Sequence, residues 1–203
     1  MILSLQGCMA VGKTTAAHFI QENLPGVQVF FEDNTAVLAE IRRRGLNRDR
    51  YEDYLEIQRL FLQNELARGR AAQQHPVSVM DFGAEEIVFY TLCYPRSKGL
   101  DWDTEAIRQA LAPELAAVQA YWPEHILFLD APDAVLRARK EGDAARSRGF
   151  FSHYCTHLLP LKREWFRNRE NVTVLQTEGL TAVQAGEQAA RWCAGRSISA
   201  SRT

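Results

Sequence analysis

The sequence predicts one α/β domain, a three-layer sandwich in which a five-stranded parallel sheet has helices on both faces. Short runs of apolar and β-branched residues, typical of buried strands, lie at residues 2–6, 27–31, 76–81, 126–130 and 171–175. Each run is followed by a longer segment that favours a helix. Strands joined through helices run parallel, and the connecting helices cover the two faces of the sheet.

Length and charge support this prediction. The chain has 203 residues, of which 46% are hydrophobic and 24% charged, and this is enough for one domain with a sizeable core. We expect residues 1–195 to form the domain and residues 196–203 a flexible C-terminal tail. The formal net charge of −1 gives no indication of a nucleic-acid or membrane partner.

The sequence shows no targeting feature. No apolar run approaches membrane-spanning length, and the first expected strand begins at residue 2, which leaves no room for a signal peptide. The cysteines form no C-x-x-C pair, so we interpret them as reduced thiols and not as a disulfide framework or zinc site. They are Cys8, Cys93, Cys155 and Cys193. We therefore expect a cytoplasmic protein.

Glycine and proline set most of the expected helix ends. The first helix should end before Pro25 and Gly26, the second at Gly45 and the last at Gly195. A further helix should start after an Asp103 cap and be disturbed near Pro113. The helices are expected at residues 14–23, 35–44, 49–69, 85–92, 104–121, 133 onwards, 152–169 and 180–194.

The first expected strand is followed at once by the motif G-x-x-x-x-G-K-T and then by a helix. This is the phosphate-binding P-loop in a strand–loop–helix setting. Its glycines allow backbone N–H groups to face phosphate oxygens, its lysine adds a cation, and its threonine hydroxyl can bind Mg²⁺. The alternative is a glycine-rich turn with a surface lysine. The residues assigned to nucleoside-triphosphate binding are Gly7, Cys8, Met9, Ala10, Val11, Gly12, Lys13, Thr14 and Thr15.

Carboxylates stand at the ends of the second and third expected strands. Glu32 and Asp33 follow the second strand, and Asp81 ends the third. Ligands of open α/β sheets bind beyond the carboxyl ends of the strands, so these acids should share one rim with the P-loop. Asp81 has the position of an acid that holds Mg²⁺ together with Thr14. The alternative for Asp81 is a cap of the next helix.

Gln58 lies on the apolar stripe of the long third helix, where an aliphatic residue is usual. Its amide either satisfies a neighbouring backbone group or faces a ligand.

An arginine-rich segment, about residues 137–150, is interrupted by Gly142 and Gly149. This pattern predicts a mobile lid that closes over transferring phosphates and brings guanidinium groups to them. The candidate lid arginines are Arg139, Arg146 and Arg148. A solvated basic helix end is the alternative.

With these elements placed, the chain resembles the deoxynucleoside kinases and the related thymidylate kinases, which have the P-loop NTPase fold. In those kinases a glutamate at the end of the second strand is the general base, and Glu32 matches it. A glutamine on the third helix reads the nucleobase, and Gln58 matches it. Pro132-Asp133, the arginine-rich segment and the stretch from Tyr154 to Trp165 are similar to the family pattern after the fourth strand.

One residue departs from the family pattern. The family has an arginine directly after the acid of the third strand, where it reaches the reacting phosphates. Here Asp81 is followed by Phe82, and an aromatic ring cannot replace a guanidinium group. Either Arg96 or a lid arginine takes this role, or the acceptor is not a nucleoside.

The leading hypothesis is ATP–Mg²⁺-dependent phosphoryl transfer to a nucleoside, a nucleoside monophosphate or a similar small acceptor. Lys13, Glu32, Arg139, Arg146 and Arg148 are the candidate catalytic residues. Asp33, Gln58 and Arg96 are candidates for acceptor binding, and Thr14 and Asp81 for the metal.

Two alternatives remain. One is a P-loop kinase of another small acceptor such as an antibiotic. The other is a nucleotide-binding switch, although no Asn-Lys-x-Asp guanine-reading motif is present. A homodimer is possible, since the exposed-looking Trp102 and Trp122 suit either a dimer or a pocket.

Cys8 gives a smaller hypothesis. A thiol at a helix N-terminus has a lowered pKa, so alkylating reagents should inhibit and ATP should protect.

Overall fold

The computed structural model of the protein describes residues 1–141 and 149–200. Its strands are β1 (Ile2–Gly7), β2 (Gln28–Phe30), β3 (Ser78–Asp81), β4 (His125–Asp130) and β5 (Val172–Gln176). They form one parallel sheet in the order β2-β3-β1-β4-β5. The predicted fold class is confirmed, and each observed strand agrees with its predicted position to within about two residues.

Helices cover both faces of this sheet. Helix α1 packs against α10, and α3 packs against α4 and α6. The helices are α1 (Lys13–Asn23), α2 (Thr35–Arg44), α3 (Tyr51–Ala72), α4 (Ala84–Ser97), α5 (Thr104–Ala110), α6 (Ala112–Gln119), α7 (Asp133–Glu141), α8 (Gly149–His153), α9 (Leu159–Arg167) and α10 (Ala182–Ala200); a π-helical turn (Tyr154–Leu158) joins α8 to α9.

The central strand β1 is buried along its whole length. It pairs with β3 on one side and with β4 on the other, with Leu3 opposite both Val79 and His125. A parallel strand covered on both faces needs a nearly continuous apolar sequence, which explains the runs seen in β1 and β4. This arrangement brings the ends of β1, β2 and β3 to one edge of the sheet, where the site lies.

Helix α4 is longer than predicted and contains Pro95 in its last turn. Proline has no N–H group, so the carbonyl of Thr91 lacks its intrahelical donor. The hydroxyl of Tyr54, from α3, donates to this carbonyl at 2.8 Å. A side chain from another helix therefore compensates for the proline, and sequence reasoning on α4 alone could not find it.

Two other helix predictions are also settled. Asp103 caps α5, its carboxylate accepting from the Glu105 N–H at 2.9 Å, and the helix breaks at Leu111 next to Pro113, as predicted. The prediction that the last helix ends at Gly195 is wrong, since α10 continues to Ala200. A single glycine costs a helix only about 1 kcal/mol, which is not enough to stop it.

Trp102 and Trp122, which looked exposed in the sequence, are partly buried in an apolar cluster with α3 and α4. Trp102 contacts the rings of Tyr51 and Tyr54, and the Arg169 guanidinium lies over Trp122. All four cysteines are free. Within residues 1–141 and 149–200, no helix is both long and apolar enough to cross a lipid bilayer.

Glu85, in the first turn of α4, is fully buried, and neither carboxylate oxygen has a hydrogen-bond partner among the described residues. Burial raises its pKa to about 8. A carboxyl with a raised pKa in the folded state stabilises the fold below its unfolded pKa, and this contribution is lost as the pH rises through the folded value.

We therefore expect the free energy of unfolding to fall between pH 5 and pH 8, by up to about 1.4 kcal/mol per pH unit for this group. Glu85→Gln should make the free energy of unfolding depend less on pH. The dependence due to Glu65 should remain, because burial raises the pKa of Glu65 to about 7. Urea unfolding at several pH values measures this. Glu22→Gln, an exposed change on α1, should leave the slope unaltered; an equal slope in Glu85→Gln would contradict the prediction.

Candidate functional site

The loop between β1 and α1 has a backbone that only particular residues allow. Gly7 has a φ of +140°, and a Cβ at this position would lie 2.2 Å from the carbonyl oxygen of Leu129 on β4. Gly12 precedes α1 with a φ of +102°. Ala10 also has a positive φ, of 62°. The two glycines of the motif are thus required by conformation, and the first also by the close approach of β4.

Lys13 begins α1, and its ammonium group folds back over the loop. It donates to the carbonyls of Gly7 at 3.2 Å and Cys8 at 3.1 Å. The first turn of α1 has no acidic residue of its own. A cation and a helix N-terminus at one loop are the features that bind phosphate groups.

Thr14 and Asp81 meet at the edge of this loop. The Thr14 hydroxyl donates to Oδ2 of Asp81 at 2.8 Å, and Asp81 is buried. The alternative that Asp81 caps the next helix is wrong, because the N-cap of α4 is Gly83 and has no side-chain hydrogen bond. One carboxylate beside one hydroxyl fits the few protein ligands that Mg²⁺ takes when phosphates and waters supply the others.

Glu32 follows β2 and lines the same cavity as the P-loop. Its side chain is solvent-exposed, although many protein atoms lie around the carboxylate. Desolvation raises the pKa of Glu32, and the nearby Glu86 charge raises it further, against the opposing effects of Lys13 and Arg68. The Asn34 amide donates to Oε1 of Glu32 and holds the carboxylate in place.

Asp33, the other acid after β2, does not reach the cavity. It is exposed, and its carboxylate accepts from the Thr35 N–H at 2.9 Å, a bond that lowers its pKa. This short-range bond turns Asp33 towards the start of α2. The structure thus separates two neighbouring carboxylates that sequence reasoning could not.

The cavity shared by the P-loop, Glu32 and Asp81 has a volume of about 520 Å³. It extends from the loop to α2, α3 and α4, and much of its wall is aromatic. A concave space that combines aromatic walls with polar and charged groups is typical of a small-molecule site. The rings are those of Phe61, Phe82, Tyr90, Tyr94, Phe150 and Tyr154.

Gln58 lies in this wall and is 7% exposed. Its Oε1 accepts a hydrogen bond from the Thr91 hydroxyl at 2.9 Å. The partner of the amide is thus a side-chain hydroxyl and not the backbone group expected, and contact of Gln58 with a ligand stays a prediction.

Arg139, on α7, lies on the other side of the P-loop. It donates to the Thr177 hydroxyl at 2.9 Å, to the Thr177 carbonyl at 2.6 Å and to the Val11 carbonyl at 3.4 Å. It borders both the main cavity and a smaller one of about 160 Å³ that is lined by Leu180 and Thr181. Arg146 and Arg148, and half of the predicted lid (residues 142–148), lie outside the described residues.

Arg96 does not line the cavity. It is exposed on the last turn of α4, because α4 continues past the predicted turn. Phe82 faces the cavity with a φ of +70°, and its ring stacks on Tyr90 with centroids 6.0 Å apart. Arg48 does line the cavity, and its guanidinium group lies 6.0 Å from the centroid of the Phe61 ring. Sequence reasoning missed Arg48, which carries no motif.

A buried ion pair below the loop was also missed. The Lys162 ammonium contacts Oε1 of Glu86 and donates to the Gly7 carbonyl at 2.7 Å. Burial lowers the pKa of Lys162 to about 8. The Gln6 amide, oriented with its nitrogen towards Glu86, donates to Oε2 and accepts from the Gly83 N–H at 3.0 Å. In the sequence Lys162 is a lysine within an expected helix, and no local pattern indicates its contact with Glu86.

The hypothesis of a reactive Cys8 is wrong. The thiol is fully buried, and burial raises its pKa to about 12. Desolvation therefore outweighs the helix N-terminus and Lys13 at this position.

Comparisons with known proteins support the fold. No protein-family model and no curated protein sequence matches this chain. It is similar to the structure of deoxyadenosine kinase from M. mycoides with the products dCMP and dCDP bound, with a TM-score of 0.68 and 14% identity over 96% of this chain and 100% of that chain. The same enzyme with bound dATP gives a TM-score of 0.69 at 13% identity, over 97% of this chain and 98% of that chain.

Thymidylate kinase from Candida albicans is also similar, with a TM-score of 0.61 and 14% identity over 96% of this chain and 91% of that chain. The predicted resemblance to deoxynucleoside and thymidylate kinases is thus confirmed in the fold, which the chain shares with these P-loop kinases over nearly its whole length.

Proposed function

We propose that the protein is a phosphotransferase that moves the γ-phosphoryl group of ATP, in the presence of Mg²⁺, to a nucleoside, a nucleoside monophosphate or a similar small acceptor. The observation that carries this proposal is the placement of Lys13, the Thr14–Asp81 pair and Glu32 around one end of a 520 Å³ cavity. A cavity of this size beside a phosphate site favours a small-molecule acceptor over a switch without one.

Each residue has a role that its geometry allows. The loop from Gly7 to Thr15 and Lys13 would hold the triphosphate, and Thr14 with Asp81 would hold Mg²⁺, which supplies charge neutralisation between the phosphates. Glu32 would accept the proton of the acceptor hydroxyl of a nucleoside; a monophosphate acceptor attacks through an ionised phosphate oxygen and needs no proton removed. The acceptor oxygen then bonds to the γ-phosphorus while the bond to the β–γ bridging oxygen breaks, and ADP leaves. A raised pKa suits Glu32 to this role, since it brings the base closer to neutral pH.

The smaller cavity would hold the nucleoside of the donor. It is lined by Val11 and Gly12 of the P-loop and by Arg139. A nucleoside attached to phosphates on the loop can extend into it, with Arg139 between donor and acceptor sides.

One observation favours a second candidate, a P-loop kinase of a different small hydroxyl acceptor. Phe82 replaces the arginine of the nucleoside kinases, and its ring packs on Tyr90 in the cavity wall. An acceptor end bounded by rings suits an apolar or aromatic molecule as well as a nucleoside.

The test is an ADP-release assay with Mg²⁺-ATP across nucleosides, nucleoside monophosphates, and aminoglycoside-like and chloramphenicol-like compounds. We expect at least one nucleoside or monophosphate to accelerate ADP release, and Asp81→Asn to need about ten- to a hundredfold more Mg²⁺. Acceleration only by another compound class would select the second candidate. Slow turnover that no acceptor changes, or no association of ATP at millimolar concentration, would contradict both.

A further inference from the structure

Arg68, on α3, lies behind the edge of the sheet that carries the candidate site. Its side chain is 13% exposed and does not line the cavity. Its Nη2 donates to the carbonyls of Phe30 at 3.2 Å, Asp81 at 3.1 Å and Phe82 at 2.9 Å. Its Nη1 donates to Oε2 of Glu65 at 2.9 Å, and Glu65 is itself buried. One guanidinium group thus joins two strand ends to one helix.

These carbonyls lie where the strand pairing stops. The last paired residues of β2 and β3 are Phe30 and Met80. Among the described residues the β2–β3 pairing ends there, and Glu32 and Asp81 lie just beyond it, although Asp81 still pairs with Leu5 of β1. Arg68 bridges the Phe30 and Asp81 carbonyls across this gap through Nη2 while its Nη1 holds Glu65, and a lysine ammonium, one bond shorter and with a single nitrogen, cannot hold both sets of partners.

The third carbonyl belongs to a strained residue. Phe82 has a φ of +70°, in the left-handed region, which costs a residue with a side chain about 1–2 kcal/mol. Such a conformation persists only when its surroundings fix it. The hydrogen bond from Arg68 to the Phe82 carbonyl is a direct constraint of this kind, and it keeps the peptide after Asp81 turned towards α3.

Charge adds a second effect on the same site. The groups that act on Glu32 come from several elements: Glu86 of α4 and Asp81 of β3 raise its pKa, whereas Lys13 of α1 and Arg68 of α3 lower it. Glu65, next to Arg68 on α3, is a further acid close enough to interact with Glu32. The positive charges of Arg68 and Lys13 therefore oppose the negative charges of Glu86, Asp81 and Glu65 around Glu32.

We propose that Arg68 is a positioning residue that fixes Glu32 and Asp81 relative to each other by clamping the ends of β2 and β3 beyond their ladder. The inference rests on the proposed function, in which Glu32 is the base and Asp81 a metal ligand. Arg68 itself touches neither donor nor acceptor. It acts through the backbone of the strand ends and through its charge.

Two variants separate these effects. Arg68→Lys keeps the charge but cannot bridge the carbonyls, so we expect kcat to fall about ten- to a hundredfold while the pH profile keeps its acid limb. Arg68→Gln loses both the charge and the bridge between the carbonyls, so the acid limb of its pH–activity profile should also move to higher pH. Arg70→Gln, an exposed change on the same helix, should leave kcat and the profile unaltered.

An activity-independent readout completes the test. The Glu32 carboxyl is followed by carbon NMR titration of the protein without nucleotide or acceptor, its signal assigned by its loss in Glu32→Gln. Arg68→Gln should titrate at higher pH than wild type, and Arg68→Lys close to wild type. If the wild-type protein phosphorylates no acceptor, the proposed function fails, while this titration still tests Arg68.

The outcomes that overturn the proposal are specific. A kcat in Arg68→Lys within about twofold of wild type would show that the clamp is not needed. A Glu32 titration unchanged in Arg68→Gln would remove the electrostatic effect. If Arg68→Gln does not fold, Arg68→Lys decides, since it keeps the charge and most of the aliphatic side chain.

Discussion

Glu32→Gln is expected to lower turnover about a hundredfold or more with the best acceptor, because glutamine cannot take the proton from the acceptor hydroxyl. The amide is nearly isosteric, can keep the contact with Asn34 and removes one negative charge near the site. Binding of Mg²⁺-ATP should therefore persist. Steady-state kinetics together with nucleotide titration measure the two effects separately.

The pH dependence of the wild-type enzyme belongs to the same prediction. The base works only when deprotonated, and burial with the Glu86 charge raises its pKa. Activity should thus fall as the pH drops through a value above that of an ordinary glutamate, and this limb should be absent in the residual activity of Glu32→Gln. The exposed Glu52→Gln should behave as wild type. Full turnover in Glu32→Gln, with the loss appearing in Asp33→Asn instead, would transfer the role to Asp33.

Lys162→Met is expected to destabilise the fold by about 3–5 kcal/mol, since it leaves the Glu86 carboxylate buried without its counter-charge. The Lys162 and Glu86 side chains are 0% and 2% exposed, so water cannot compensate. The change also removes a donor from the Gly7 carbonyl and should weaken ATP binding. Urea unfolding at neutral pH gives the first effect, and nucleotide titration the second.

A double variant shows whether the pair is the cause. Lys162→Met with Glu86→Gln carries neither charge, so it should recover a large part of the lost stability. Lys98→Met, an exposed lysine at the end of α4, should change stability by less than about 0.5 kcal/mol. If the single and double variants were equally stable, the unpaired Glu86 carboxylate would not be the cause of the lost stability in Lys162→Met.

The sequence was sufficient to predict the fold and the meeting of the P-loop with the ends of β2 and β3, because both follow from local patterns and from the parallel sheet. A P-loop after a strand carries its own signature, and parallel strands bring Glu32 and Asp81 to one edge by topology alone. The Thr14–Asp81 contact, 67 residues apart, was predictable for this reason.

The remainder of the site depends on tertiary contacts that no local pattern records. Arg139 was expected over the phosphates from a lid, but it is fixed beside the loop by Thr177, which lies beyond β5. Arg96 was expected in a loop, but Tyr54 compensates for Pro95 and α4 continues. In the sequence nothing distinguishes Arg48, Arg68 and Lys162 from the basic residues common on protein surfaces. Their contacts at the site arise only from tertiary packing around α3 and α9.

The close approach of Gly7 to the Leu129 carbonyl has a consequence for how the chain folds. The shape of the loop needs β4 beside β1, and these strands are separated by more than half of the sequence. Pairings between such distant segments form late, because closing long loops is entropically unfavourable. Under the proposed function, a nascent or partly unfolded chain would lack a formed nucleotide pocket, so ATP would protect only molecules whose central strands have assembled and would report completed folding.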